Sequence, residues 1–382
     1  MPVDNDRQRA VVRLSKVWMT HRKDKRMKRI IAIFAAVAIA VLAFASPARA
    51  ASTEAIKAAD WIVANNATEA DWDAGTICDD LFALASTNDI KYQSAITKRV
   101  DYLKTATASY VGTNAARAAK MAACLTAVGE NPKSFDGVNL ITIIKDGIGA
   151  DGSFSFPFNT GMAMVALARN GETIPANMIT NMLTYRSTDG GFSWAPGQAT
   201  YDPDMTSMAI LGLKAAGYTG SELTGAIAFM EEEQLANGNW PAYSPINSTG
   251  LAGPLMGSSS SAAAASYVKG QQLSNGGLPN VENGEDADLM ATQQGILALT
   301  NQTYVTITYD PAPASPSTSP SATSSTSPSA TRTATATVTT TSTSSPKGEL
   351  ADTGAGVGAG LVALSVVAVG AGTVLLRKRP QA

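Results

Sequence analysis

The acidic run Asp202, Pro203, Asp204, Met205, Thr206 is the most chemically suggestive stretch of the chain. A carboxyl held in a dry pocket at the start of a helix can donate a proton, provided its pKa is raised. The plainer use of the same residues is structural, because aspartate is favoured at a helix N-cap. Asp288 occupies the place of Asp202 in a later, similar stretch, which fits capping. Paired carboxylates would suit glycoside chemistry. The candidates are Asp71, Asp73, Asp79, Asp80, Asp202, Asp204, Glu285, Asp286 and Asp288, and no spacing singles out a pair. Trp194, Tyr201, Trp240 and Tyr243 follow turns. The first, second and fourth are candidate ligand contacts at a rim, whereas Trp240 reads as packing. The asparagine and serine stretch at 247–250, with the serines at 258–261, reads as an irregular, polar break in an apolar helix.

Other chemistries are excluded by composition. The single histidine of the 382 residues is His21, in a basic leader. The body therefore has no histidine base, no Ser-His triad and no histidine-containing metal site. No metal or cofactor is expected. Residues 51–308 carry 13 Lys/Arg against 25 Asp/Glu, a net of −12 that argues against nucleic acid and anionic lipid as partners. The two cysteines, Cys78 and Cys124, are even in number and sit in an exported chain, so a disulfide between them is possible.

The ends of the chain give the reason for reading it as exported. Lys28 and Arg29 precede an apolar run from Ile30 to Phe44, and Ala48-Arg49-Ala50 offers small residues before Ala51. This is the pattern of a secretory signal cleaved after Ala50. The charge run upstream of Met27 fits a start at Met27. At the other end, 355–376 is an uncharged run of 22 residues, long enough to span a bilayer, followed by Arg377, Lys378 and Arg379. A membrane-spanning helix with a cytoplasmic basic tail is expected. Between lies 309–349, a disordered stalk of Pro, Ser, Thr and Ala with no aromatic residue after Tyr309. It cannot bury a core. Its segment 310–346 could reach on the order of 100 Å.

The body, 51–308, repeats. Its pattern is aromatic, aliphatic, three residues, Gln, three residues, Gly, one residue, aromatic. Phe229, Met230, Gln234, Gly238 and Trp240 fit it. Tyr267, Val268, Gln272, Gly276 and Leu278 fit with leucine last. Looser copies run through Ile143, Gly152 and Phe154, through Met182, Gly190 and Phe192, through Trp61 and Trp72, and through Tyr102 and Leu103. Each is followed by an Ala-rich apolar stretch, such as Thr160 to Leu167, Thr206 to Leu213 and Thr292 to Leu299. Alanine has the best helix propensity. The expected fold is all-α: six helical hairpins closed into an (α/α)6 toroid, with the Ala-rich helices inside. The glutamine would end each outer helix and bond free backbone groups, the glycine would make the turn, and the aromatic ring would wedge between hairpins.

These residues support two resemblances. The repeat over roughly 55–305 resembles the QW repeat of terpenoid cyclases and protein prenyltransferases. Asp204 then matches the protonating acid of class II terpene cyclases, although Met205 replaces the last aspartate of their motif and only one toroid is present. The zinc ligands of prenyltransferases and the thioester run of complement-like toroids are missing. Cobalamin carriers are similar in their inner helices, but their β-rich partner domain is not here. The second resemblance is to a Gram-positive cell-wall sorting signal. Leu350, Ala351, Asp352, Thr353 and Gly354 precede the apolar run and basic tail, with Ala351 in the usual proline position, a variant typical of high-GC Gram-positive bacteria. It implies a sortase that cuts after Thr353 and joins it to a peptidoglycan cross-bridge. The expectation is a wall-anchored, non-enzymatic binding or adhesion module for an extracellular ligand. The alternatives are an exported enzyme using Asp204 on a terpenoid or glycan, and a corrinoid-binding surface protein.

Overall fold

The computed structural model describes residues 51–311. The signal segment, most of the stalk and the sorting region lie outside them. Among the described residues there are twelve α-helices and no strand. In chain order they are α1 (Thr53–Asn65), α2 (Ala74–Thr87), α3 (Gln93–Val111), α4 (Ala115–Ala127), α5 (Leu140–Asp146), α6 (Pro157–Arg169), α7 (Ala176–Leu183), α8 (Pro203–Ala215), α9 (Ser221–Glu233), α10 (Pro245–Ala252), α11 (Ser258–Gln271) and α12 (Leu289–Thr300). None of the described helices is long and apolar enough to cross a membrane.

The even-numbered helices contain the Ala-rich stretches and are buried on nearly every side. In α8, for example, Met205 through Leu213 are all buried. The odd-numbered helices bury one stripe only, as in α9, where Leu223, Ala226 and Met230 are covered at helical spacing. Each even-numbered helix packs on the next: α2 on α4, α4 on α6, α6 on α8, α8 on α10, α10 on α12, and α12 on α2. Glycine permits the closest of these approaches. A Cβ on Gly161 of α6 would lie 2.2 Å from the Met208 carbonyl oxygen of α8, and one on Gly250 of α10 would lie 2.2 Å from that of Gln294 in α12.

The helices start and stop where local chemistry requires. Side chains of Ser52, Asp73, Asn114, Asn139, Asp202 and Asp288 accept backbone N–H bonds at the starts of α1, α2, α4, α5, α8 and α12. Each satisfies a donor that the helix itself leaves free. Gln234 Nε2 donates to the Gly238 carbonyl at 2.8 Å and to that of Ser260 in α11 at 2.9 Å. Gln272 does the same for Gly276 and for Glu54 in α1, both at 2.8 Å. Gly238 and Gly276 sit at φ +100° and +94°, where a Cβ would strike the backbone of Ala263 and of Lys57. Trp240 is fully buried and donates Nε1–H to the Met230 carbonyl at 2.7 Å.

Two expectations need correction. Residues 247–250 do not break an apolar helix. They form the body of α10, with Asn247, Ser248 and Thr249 buried, while the serines at 258–261 open α11. Polarity misled here because α10 is packed against α8, α11 and α12 whatever its composition. The packed body also extends past 308. Tyr309 is 9% exposed and its N–H donates to the Ala127 carbonyl at 2.8 Å, while the Asp310 N–H donates to Asn88 Oδ1 at 2.8 Å.

Candidate functional site

The even-numbered helices run parallel. Early turns meet early turns, as in Asp79 of α2 with Lys120 of α4 at 2.7 Å. Late turns meet late turns, as in Asn170 after α6 with Thr126 of α4 at 3.0 Å. The N-terminal ends of α2, α8 and α12 therefore gather the acidic candidates, and the C-terminal ends lie opposite.

Most of those acids are already committed. Asp73 caps α2 through the Thr76 N–H and also accepts the Thr76 hydroxyl. Asp202 caps α8: Oδ1 accepts the N–H groups of Asp204 and Met205, both at 2.9 Å, and Oδ2 accepts Trp194 Nε1–H at 3.0 Å. Asp288 caps α12 through the Ala291 N–H at 2.8 Å. Burial works against the charge of Lys120, but the Asp79 carboxylate outweighs it and holds the amine above its usual range. Asp80 is fully buried. Its Oδ2 takes Arg99 Nε at 2.7 Å and Asn66 Nδ2 at 2.8 Å, and its Oδ1 takes Gln293 Nε2 at 2.6 Å. Burial still pushes the Asp80 carboxyl upward. Asp71, Glu285 and Asp286 are exposed. No pair of free carboxylates is assembled among these candidates.

Asp204 differs from them all. It sits in the first turn of α8, and its Oδ1 is buried without a hydrogen-bond partner. Burial pushes its carboxyl up to about 6, the Ser248 hydroxyl of α10 pulls the other way, and Asp202 adds to the rise. Ser207 Oγ on α8 and Asn247 Oδ1 on α10 are likewise buried and unpartnered.

The aromatic candidates divide. Trp194 is 55% exposed and packs on Phe156 with centroids 5.2 Å apart. Tyr243 is 94% exposed, two residues before α10. Tyr201 is partly buried, stands edge-on to Phe229 at 4.8 Å, and donates its hydroxyl to Glu233 at 3.4 Å. It is a packing residue rather than part of a rim.

The opposite end is covered by 301–310. Tyr304 is 3% exposed and packs on Phe82 with centroids 4.5 Å apart. Arg169, at the end of α6, donates to the Tyr304 carbonyl at 2.8 Å and the Ile307 carbonyl at 2.6 Å. Burial, with Asp79 and Asp204 nearby, holds the Tyr304 phenol well above its usual range. The segment thus fastens onto the ends of α2, α4 and α6. Nothing in the polar, Thr-rich sequence of 302–308 marks it as a strap except Tyr304 and Ile307, which are spaced to turn inward.

Cys78 of α2 and Cys124 of α4 are disulfide-bonded, with Cα atoms 5.3 Å apart, inside the usual range for such a bond. Ala51 begins the described residues. Ala48, Ala50 and the pentapeptide Leu350 to Gly354 lie outside them. Among the described residues no cluster of three His, Cys, Asp or Glu side chains is arranged to hold a metal. No protein-family model matches this chain, and no curated protein matches it significantly.

Proposed function

We propose that this chain is a surface protein that displays a six-hairpin α/α toroid on a wall-anchored stalk, and that the toroid binds an extracellular ligand without transforming it. The cyclic order of helix contacts supports the toroid, since α12 packs back on α2. So does the repeated role of the motif glycines: Gly152, Gly190, Gly238 and Gly276 each abut the next odd-numbered helix, and the last of them abuts Lys57 of α1. The even-numbered helices line the ring, and their N-terminal ends form its mouth, the end that 301–310 does not cover.

One observation carries binding over catalysis. The inner acids Asp73, Asp79, Asp80, Asp202 and Asp288 are spent on caps and ion pairs. Acid–base chemistry by two carboxylates would need a second free carboxylate near Asp204, and among the described residues the one beside it, Asp202, is spent on the α8 cap. Asp204, raised and without a cation beside it, keeps the one enzymatic alternative in view: protonation of an alkene or glycosidic oxygen. Display is carried by the leader, the Pro/Ser/Thr stalk and the segment Leu350 to Gly354 with its apolar run and basic tail. The chain leaves the toroid at Asp310, beside Asn88 at the strapped end. Trp194 and Tyr243 precede α8 and α10, at the end of the ring opposite Asp310.

The test is incubation of displaying cells with a mixture of polyprenyl alcohols, oligosaccharides and lysine-containing peptides. A binding module retains one class with its mass unchanged. Release of a converted product, abolished by Asp204→Asn in a folded protein, would establish the enzyme instead.

A further inference from the structure

Among the inner carboxylates of the described residues, Asp204 alone has neither a cation nor a helix cap to hold. Asp79 has Lys120 and Asp80 has Arg99, each at 2.7 Å, whereas no Lys or Arg among the described residues pairs with Asp204. The neighbours of Asp204 show where it faces. On α8, Met208 and Gly212 lie against α6, and Thr206 turns outward, its hydroxyl bonded to the Phe192 backbone at 2.9 and 3.1 Å. Helical spacing leaves Asp204, Ser207 and Leu211 for the third face, toward the ring interior. On α10, Gly250 and Ile246 lie against α12, and Ser248 lies beside Asp204. Asn247 and Leu251 remain for the interior. Ser207 is 0% exposed and Asn247 is 6% exposed, yet Ser207 Oγ and Asn247 Oδ1 have no partner.

Neighbouring turns of α8 and α10 therefore carry three buried oxygens without a partner and one negative charge without a cation. A hydroxyl ligand brings one donor per oxygen and no charge. A primary ammonium brings three donors and the missing charge on one atom. Outside stand the exposed faces of Trp194 and Tyr243, at the entries to α8 and α10. Such faces attract a cation and cover an aliphatic stem. An acidic body, net −12 over 51–308, draws cations toward it.

We propose that the mouth binds the ammonium group of a lysine side chain on an extracellular peptide or protein, with Asp204 as its counter-ion and Ser207 and Asn247 as further acceptors. This rests on the reading of the mouth as a binding surface.

The experiment is calorimetric titration of the full chain, in detergent, with Nα-acetyl-lysine methylamide, its neutral analogue Nα-acetyl-norleucine methylamide, and methyl β-glucoside. The lysine probe should bind at least about tenfold tighter than the norleucine probe, a difference of about 1.4 kcal/mol. Asp204→Asn should erase that preference, with folding checked by thermal unfolding. Tyr243→Ala, at an exposed position, should weaken lysine binding without touching the fold. Equal affinity for the two amino-acid probes, or no binding of the lysine probe, overturns the proposal. Binding of the glucoside alone, weakened by Tyr243→Ala, overturns the ammonium and keeps the mouth. Binding that neither substitution alters overturns both.

Discussion

Gln293 of α12 donates its Nε2–H to Asp80 of α2 at 2.6 Å, across 213 positions of sequence. The bond joins the last even-numbered helix to the first. Arg99 of α3 completes the arrangement, pairing with Asp80, donating to the Asn66 carbonyl at 3.1 Å, and stacking over Trp72 with its guanidinium 5.2 Å from the ring centroid. Removing one member of a buried pair leaves the other charge uncompensated, a loss of about 3–5 kcal/mol. Asp80→Ala should lower unfolding stability by that amount in urea titration. Gln293→Ala, which removes a neutral donor, should cost less, about 1–3 kcal/mol. Equal small losses in both would contradict the network.

The Cys78–Cys124 bond closes a loop of 46 residues. Cross-linking the unfolded chain over such a loop stabilises by about 2–4 kcal/mol. Cys78→Ser with Cys124→Ser should lower the urea midpoint accordingly, and a reducing agent should lower the wild type but not the variant. A wild type indifferent to reductant would mean the thiols are free.

Asp204 gives a pH signature. Its carboxyl is raised from 3.8 to about 6 in the folded chain, so the folded state holds that proton more tightly than the unfolded one. Its contribution to stability is full below about pH 4 and is lost as pH rises through about 6. The loss amounts to at most about 3 kcal/mol. Asp204→Asn should be more stable than wild type at pH 7.5, by about 1–3 kcal/mol, and the two should converge near pH 4. Thermal unfolding across that range checks it. A variant less stable than wild type at pH 7.5 would show that the charge is compensated after all.

The strap makes a separate prediction. Tyr304→Ala removes a buried ring that packs on Phe82, a change that typically costs about 3–5 kcal/mol. Arg169→Ala frees the carbonyls of Tyr304 and Ile307 from the burial-depressed guanidinium, whose pKa falls only to about 10. Both should expose 301–310 to proteolysis before the helices unfold. Protease resistance equal to wild type would show the strap held by other contacts.

The parts of this fold written in local patterns were legible. Gln234, Gln272, Gly238 and Gly276 act at fixed spacing on backbone that the sequence itself positions, so their turns and the helix order could be read. Asp202 and Asp288 as caps follow from the residues just after them. Partners drawn from distant helices could not be read. Nothing near Asp79 or Asp80 announces Lys120, Arg99 or Gln293, and so all the acids looked equally free. The α10 helix was obscured because its burial comes from neighbours, not from its own apolarity. Asp204 could be picked out for its motif position, but its lack of a partner is a tertiary fact.

The body, in the function proposed above, is a displayed binding module. Native mass spectrometry of protein released from cell walls by muramidase tests it most directly. The expected result is a chain whose C-terminal peptide ends at Thr353 with a cross-bridge fragment attached, and a one-to-one complex with the lysine probe that dissociates to give the probe unchanged. A chain that still runs to Ala382, or a probe released with an altered mass, would contradict it.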